Sequence, residues 1–149
     1  MLKRTHIAIA LLVGLYFLIH MENKIVFLPV LLISTIFPDI DRLLGFNNLA
    51  FWRKNLGNTS HHRGILHSYT FCVAVSIALA LFFPILALPF FLGYSTHIFA
   101  DSFTHEGIKP FWPLRFTSTG PFATGGKREA VLFWIVVFAN VLLFVFLFF

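Results

Sequence analysis

Five apolar stretches, separated by short polar breaks, govern what this chain can form. They run roughly from Thr5 to His20, Ile25 to Phe37, Gly64 to Phe83, Ile85 to Phe103 and Glu129 to Phe149. A helix needs about 20 apolar residues to cross a bilayer. The last run meets that length and the first falls short of it. Overall 58% of residues are hydrophobic and 11% charged, where soluble domains carry about 25% charged residues. The expected fold class is therefore all-α, a polytopic membrane helical bundle of about five spans. The 149 residues are expected to form one domain. Lys3 and Arg4 before an apolar core mimic a signal peptide. No small-residue cleavage site follows and Tyr16 to Met21 is bulky, so a retained helix is expected.

The breaks carry their own chemistry. Met21-Glu22-Asn23-Lys24 reads as a tight polar turn. Pro38 disfavours helical geometry at Phe37, so the second helix should stop or kink there, leaving Asp39 and Asp41 on extended chain. From Arg42 to Ser60 asparagines and basic residues mix with Phe46, Phe51 and Trp52. That pattern reads as an interfacial loop or short amphipathic helix, and Asn58-Thr59-Ser60 offers N-cap residues for the helix that follows. Pro84 marks a turn, and Pro89 falls in the first turn of the fourth span, where proline is tolerated. Thr104 to Arg128 reads as a second irregular segment. The lone Cys72 lies in an apolar run and is expected to pack.

Five spans place the N-terminus, the 42–63 loop and the 104–128 loop on one face. That face holds Lys3, Arg4, Arg42, Arg53, Lys54, Arg63, Lys109, Arg115, Lys127 and Arg128. Of the 11 lysines and arginines, Lys24 alone lies on the other face. The positive-inside rule makes the basic face cytoplasmic. The net charge of +5 then reflects membrane orientation, and no direct nucleic-acid binding is expected.

The same topology gathers ionisable residues at one membrane depth. His6 lies at the cytoplasmic start of span one, and Asp39 and Asp41 at the end of span two. His61, His62 and His67 lie at the start of span three, and His97 and Asp101 at the end of span four. His97 and Asp101 are spaced i, i+4 and share a helix face, with Gly93 one turn earlier leaving room for a neighbouring helix. Ionisable groups in such apolar surroundings are expensive and usually functional. Four imidazoles (His6, His62, His67, His97) and three carboxylates (Asp39, Asp41, Asp101) form a mixed nitrogen–oxygen donor set. It suits a divalent transition metal, zinc first, with manganese or iron as alternatives. These donors exceed the three or four protein ligands of one catalytic zinc, so one or two ions are expected. Two divalent ions outweigh three carboxylates and favour an anionic group such as a phosphate. A pair of ions can activate water and polarise a phosphoryl oxygen. Arg63 is placed to clamp a phosphate bidentately, and Asp41 to act as general base.

The order Thr5-His6, Phe37-Pro38-Asp39-Ile40-Asp41, His62-Arg63-Gly64-x-x-His67-Ser68, Gly93-Tyr94-x-x-His97-x-x-x-Asp101-x-x-Thr104-x-x-Gly107 and Trp112-Pro113 resembles the YdjM-like family of inner-membrane metal-dependent hydrolases, also described as LexA-binding. The resemblance covers roughly residues 5 to 113 and leaves the C-terminal span, 129–149, outside it. It implies a distant relation to zinc-dependent phospholipases C and single-strand nucleases, and through that analogy phosphoester hydrolysis. His61, His105 and Glu106 fall outside the family pattern, and Leu66 stands where a threonine is expected.

These readings lead to a membrane-embedded metal-dependent hydrolase of the cytoplasmic face of the inner membrane. Its expected partners are membrane lipids and a phospholipid or other lipid-linked phosphoester. The alternative is a membrane-tethered, LexA-binding type of protein-binding module with a structural metal. Its basic cytoplasmic loops would then dock a protein partner. A transporter ranks lower, because the ionisable residues gather at one end of the spans and not near the bilayer midplane.

Overall fold

A computed structural model of the chain describes residues 1–40, 65–114 and 116–148. Among these residues the architecture is all-helical, with no strands. The helices are α1 (Lys3–Leu18), α2 (Lys24–Ile36), α3 (Tyr69–Phe82), α4 (Pro84–Ser102) and α5 (Lys127–Phe148). Two short 3-10 turns, Phe37–Asp39 and Ile65–His67, flank the undescribed segment. Each expected apolar run contains one helix. Among the described residues one of them, over Lys127–Leu147, is long and apolar enough by itself to cross a membrane, and Tyr69–Phe82 is apolar but shorter.

Local chemistry sets the helix ends. Pro84 occupies the opening turn of α4, where its missing N–H costs no helical bond. Pro89 does not fall in the first turn as expected: α4 starts at Pro84, and Pro89, five residues on, lies inside the helix. Ser68 caps α3 by accepting the Phe71 amide at 3.3 Å. The caps expected at Asn58-Thr59-Ser60 lie outside the described residues. Asp39 does not lie on extended chain. Phe37 keeps helical angles (φ −57°, ψ −41°) despite the following proline, and Phe37–Asp39 tightens into a 3-10 turn that continues the line of α2. Pro38 is tolerated there because a helical proline near the start of a turn loses no required donor.

α2 packs most extensively on α4, and α1 lies against α2, α4 and α5. The α2–α4 crossing is close because of Gly93, where an added Cβ would sit 2.1 Å from the Leu31 carbonyl oxygen. Thr35 reinforces the crossing, its hydroxyl standing 2.9 Å from the Leu31 carbonyl and 3.1 Å from that of Gly93. Two apolar cores follow. Ala10, Phe27 and Leu31 fill the space between α1 and α2. Cys72, Phe90, Tyr94, Ile98 and Ile108 join α3 and α4 to the following loop, with Cys72 buried as expected.

That loop is more ordered than its composition suggests. Ile108 and Ser118 exchange two backbone hydrogen bonds of 2.9 Å, and Gly120 approaches Phe103 too closely for any side chain. The Tyr69 amide donates to the Pro110 carbonyl at 2.7 Å, tying the loop to the start of α3. The loop therefore closes the end of the bundle where α4 stops and α3 and α5 begin.

Candidate metal centre

At this end five expected ligands converge from four elements. His6 comes from the first turn of α1, Asp39 and His67 from the two 3-10 turns, and His97 and Asp101 from α4. All five side chains are buried. The i, i+4 spacing on α4 works as expected, with His97 Nε2 3.7 Å from Asp101 Oδ2. Asp101 is the hub. Its carboxylate also lies 3.2 Å from His6 Nε2, 3.8 Å from His67 Nε2 and 2.7 Å from the Met1 amine. Asp39 reaches His67 Nε2 at 3.7 Å. The His6 and His97 rings stack with centroids 4.0 Å apart and 10° between planes. Donor atoms of His6, His97 and Asp101, and likewise of Asp39, His67 and His97, lie within 4.8 Å of one another.

The protonation pattern follows from the neighbours. His97 Nδ1 lies 2.7 Å from the Thr35 carbonyl oxygen. A carbonyl only accepts, so Nδ1 carries the proton and Nε2 turns its lone pair to the other ligands. This is the usual way an outer partner orients a ligating histidine. At Asp39, burial pushes the carboxyl up, but the neighbouring His67 side chain outweighs it and holds the group below the usual carboxylate range.

The donor atoms pass a further test of fit. His6 Nδ1, both nitrogens of His67 and His97 Nε2 are buried with no hydrogen-bond partner among the described residues. Buried polar atoms are rarely left so, because each costs its full desolvation. Three imidazoles with open nitrogens around two carboxylates are a donor set for a divalent transition metal. The residues fit such an ion, and the donor set by itself does not single out zinc from manganese or iron.

The remaining expected residues divide in two. Asp41, His61, His62 and Arg63 lie outside the described residues, as does the 42–60 loop. His105 and Glu106 are exposed, since α4 ends at Ser102 and the chain turns before His105 can continue the His97–Asp101 line.

Three further residues build the site without ligating, and none of them stands in the sequence pattern of candidate ligands. Tyr94 donates its hydroxyl to the Leu66 carbonyl, next to His67. Thr35 offers the carbonyl that orients His97. Glu129 is 1% exposed and holds the start of α1. A signal for Glu129 existed, since it is the last charged side chain before an apolar run broken by Asn140 alone.

Fold and site together define a class: an all-helical protein with an apolar, span-length C-terminal helix and a buried histidine–aspartate centre at one end of the bundle. Within that class the chain belongs to the YdjM inner membrane protein family, whose model matches residues 1–149. It is 33% identical over 100 residues to the inner membrane protein YdjM of Escherichia coli K12, and equally to that of Shigella flexneri. In each case the match covers 59% of this chain and 50% of the relative. The chain thus spans about half the length of the curated relatives it matches. No solved structure matches it.

Proposed function

We propose that this protein is a multi-pass inner-membrane, metal-dependent hydrolase that cleaves a phosphoester, such as a phospholipid or another lipid-linked phosphate, at the cytoplasmic face. The observation that carries the reading is the gathering of buried donor atoms of His6, His67 and His97 within 4.8 Å of those of Asp101 or Asp39, with imidazole nitrogens that have no hydrogen-bond partner among the described residues. His97 binds through Nε2, with His6, His67, Asp101 and Asp39 completing the donor set. A divalent ion held there, zinc by preference, supplies Lewis acidity toward a phosphoryl oxygen. Because His97 has one free nitrogen, the two ligand groups that share it serve one ion. A second ion requires His62 and Asp41, with Arg63 left to bind the phosphate.

Membrane embedding rests on the family and on the surface. Large apolar side chains stand exposed along the helices, among them Ile25 (90%), Leu81 (74%) and Phe146 (82%), which suits lipid contact. The skew of basic residues toward the end bearing the site supports a cytoplasmic orientation. The phosphoester class comes from analogy with zinc-dependent phospholipases C.

The near-complete burial of the ligands favours a second reading. Closed sites are structural and open ones catalytic, so a structural metal in a membrane-tethered, LexA-binding type of module is the competitor. Elemental analysis of the detergent-purified protein, beside a His97→Ala, Asp101→Ala variant, tests both. Metal lost in the variant, with hydrolysis of a phosphoester by the wild type, supports the hydrolase. Tightly held metal with no hydrolysis across phospholipid and lipid-linked substrates supports the module. Protein that folds without metal and takes up none rejects both.

A further inference from the structure

Glu129 lies in the first turn of α5, a helix that brings no ligand to the centre, yet its carboxylate is fully engaged. One oxygen accepts the Leu2 amide at 2.6 Å and the Thr5 hydroxyl at 2.8 Å. The other accepts the Gly125 amide at 2.7 Å. A buried carboxylate is costly unless its oxygens are satisfied, and here both are. The donors come from the two ends of the chain. Leu2 and Thr5 belong to the start of α1, and Gly125 to the turn that leads into α5.

The contact lies one residue from a ligand. Helix α1 has no side-chain N-cap, since Leu2 occupies that position. The amides of Thr5 and His6 both donate to the Leu2 carbonyl, at 3.0 and 3.3 Å. Glu129 grips the other side of the same residue through its N–H and adds the Thr5 hydroxyl. It thus supplies from a distant helix the acceptor for the N-cap amide that the N3 glutamate of a capping box normally provides.

A second polar contact sets the register of the two helices. Asn140 follows Glu129 by about three helical turns and so lies on the same face. Its amide nitrogen donates to the Ala8 carbonyl at 2.9 Å and to the Val136 carbonyl at 3.0 Å. Val136, between the two, is buried. Most other side chains along α5 are exposed.

We propose that Glu129 is a positioning residue for the metal centre: it anchors the first turn of α1 through Leu2 and Thr5, so that His6 stays stacked on His97 and within reach of Asp101. The inference rests on the metal-centre reading for what His6 is held to do. Without Glu129 three donors lose their acceptor, and the first turn of α1 is free to fray. His6 moves with it, while His67, His97 and Asp39 stay on elements that Glu129 does not touch.

The experiment uses the full chain in detergent as wild type, E129A, E129Q, H6A and the E129A/H6A double variant. Hydrogen exchange is read on metal-free protein, and Co(II) is then titrated with its visible absorption as the probe. Exchange in E129A should rise over residues 2–8 and stay unchanged around Thr35 and His97. Co(II) affinity should fall about 10-fold or more, the scale of losing an outer-shell partner, and the spectrum should move to that of H6A. Adding E129A to H6A should cost nothing further. E129Q keeps an oxygen for Leu2 and Thr5 and should restore most of the wild-type spectrum. Wild-type affinity and spectrum in E129A, an additive loss in the double variant, or a uniform rise in exchange overturns the proposal. Should E129A not fold, E129D decides: it keeps the charge on a shorter arm, so a shifted Co(II) spectrum supports positioning and an unchanged one overturns it. If wild type binds no Co(II), the metal-centre reading falls, and exchange in residues 2–8 alone decides the anchoring.

Discussion

His97 Nδ1 and the Thr35 carbonyl oxygen lie 2.7 Å apart across the α2–α4 crossing, and that contact decides which nitrogen of His97 faces the centre. It exists because the helices are close, and they are close because residue 93 has no side chain. Helix packing and ligand chemistry are thus one feature of this protein.

Gly93→Ala should separate the helices. The added methyl would stand 2.1 Å from the Leu31 carbonyl oxygen, a backbone atom that cannot swing away. Overpacking of this kind costs about 1–3 kcal/mol, and the shift also pulls Thr35 from His97. The expected outcome is a lower thermal midpoint together with reduced metal content. A variant with wild-type metal content and stability would show that the crossing tolerates a methyl group.

Thr35→Val separates the hydroxyl from the carbonyl. Valine keeps the backbone oxygen that fixes the His97 tautomer and loses the hydrogen bonding to Leu31 and Gly93. Denaturation should show a loss of about 1 kcal/mol, the usual net worth of such a bond, while metal affinity stays near wild type. A collapse of metal affinity would mean that the hydroxyl, and not the carbonyl, organises the site.

The two carboxylates of the centre should differ in weight. Asp101 lies near His6, His67 and His97, whereas Asp39 makes its close ion-pair contact with His67. Outer-shell changes already cost about 10–100-fold in metal affinity. Asp101→Ala should exceed that range, and Asp39→Ala should fall at its low end. Competition with a coloured chelator measures both, and equal losses would remove Asp101 as the hub.

How much of this was legible in the sequence depended on distance along the chain. His97 and Asp101 stood out because two ionisable side chains one turn apart are conspicuous in an apolar run. His6, Asp39 and His67 were legible as polar outposts at run ends, since a shared depth brings such ends together. The turn at Asp39 was misread because the restriction on a residue before proline is a preference, and a 3-10 turn at Phe37–Asp39 overrides it. The 104–128 segment read as irregular because its order is held by backbone bonds and by Gly120 lying against Phe103, features no side-chain pattern carries. Thr35 acts through its carbonyl, which every residue has. Glu129 meets Thr5 across 124 residues, and nothing local announces that contact.

The number of ions is the last quantity these contacts predict. His97 serves both described ligand groups, but its Nδ1 is committed to Thr35, leaving Nε2 for a single ion. Three imidazoles and two carboxylates already meet the needs of one transition metal. A second ion therefore depends on donors outside the described residues, of which His62 and Asp41 are the candidates from the sequence pattern. The expected outcome is two ions per chain in the wild type and one in an Asp41→Ala, His62→Ala variant, measured by elemental analysis against protein concentration. The retained ion should still be lost from His97→Ala. Loss of both ions in the Asp41, His62 variant would instead mean that the two positions are interdependent. A single ion in both proteins would assign Asp41 and His62 to substrate or to structure, and would leave the centre mononuclear.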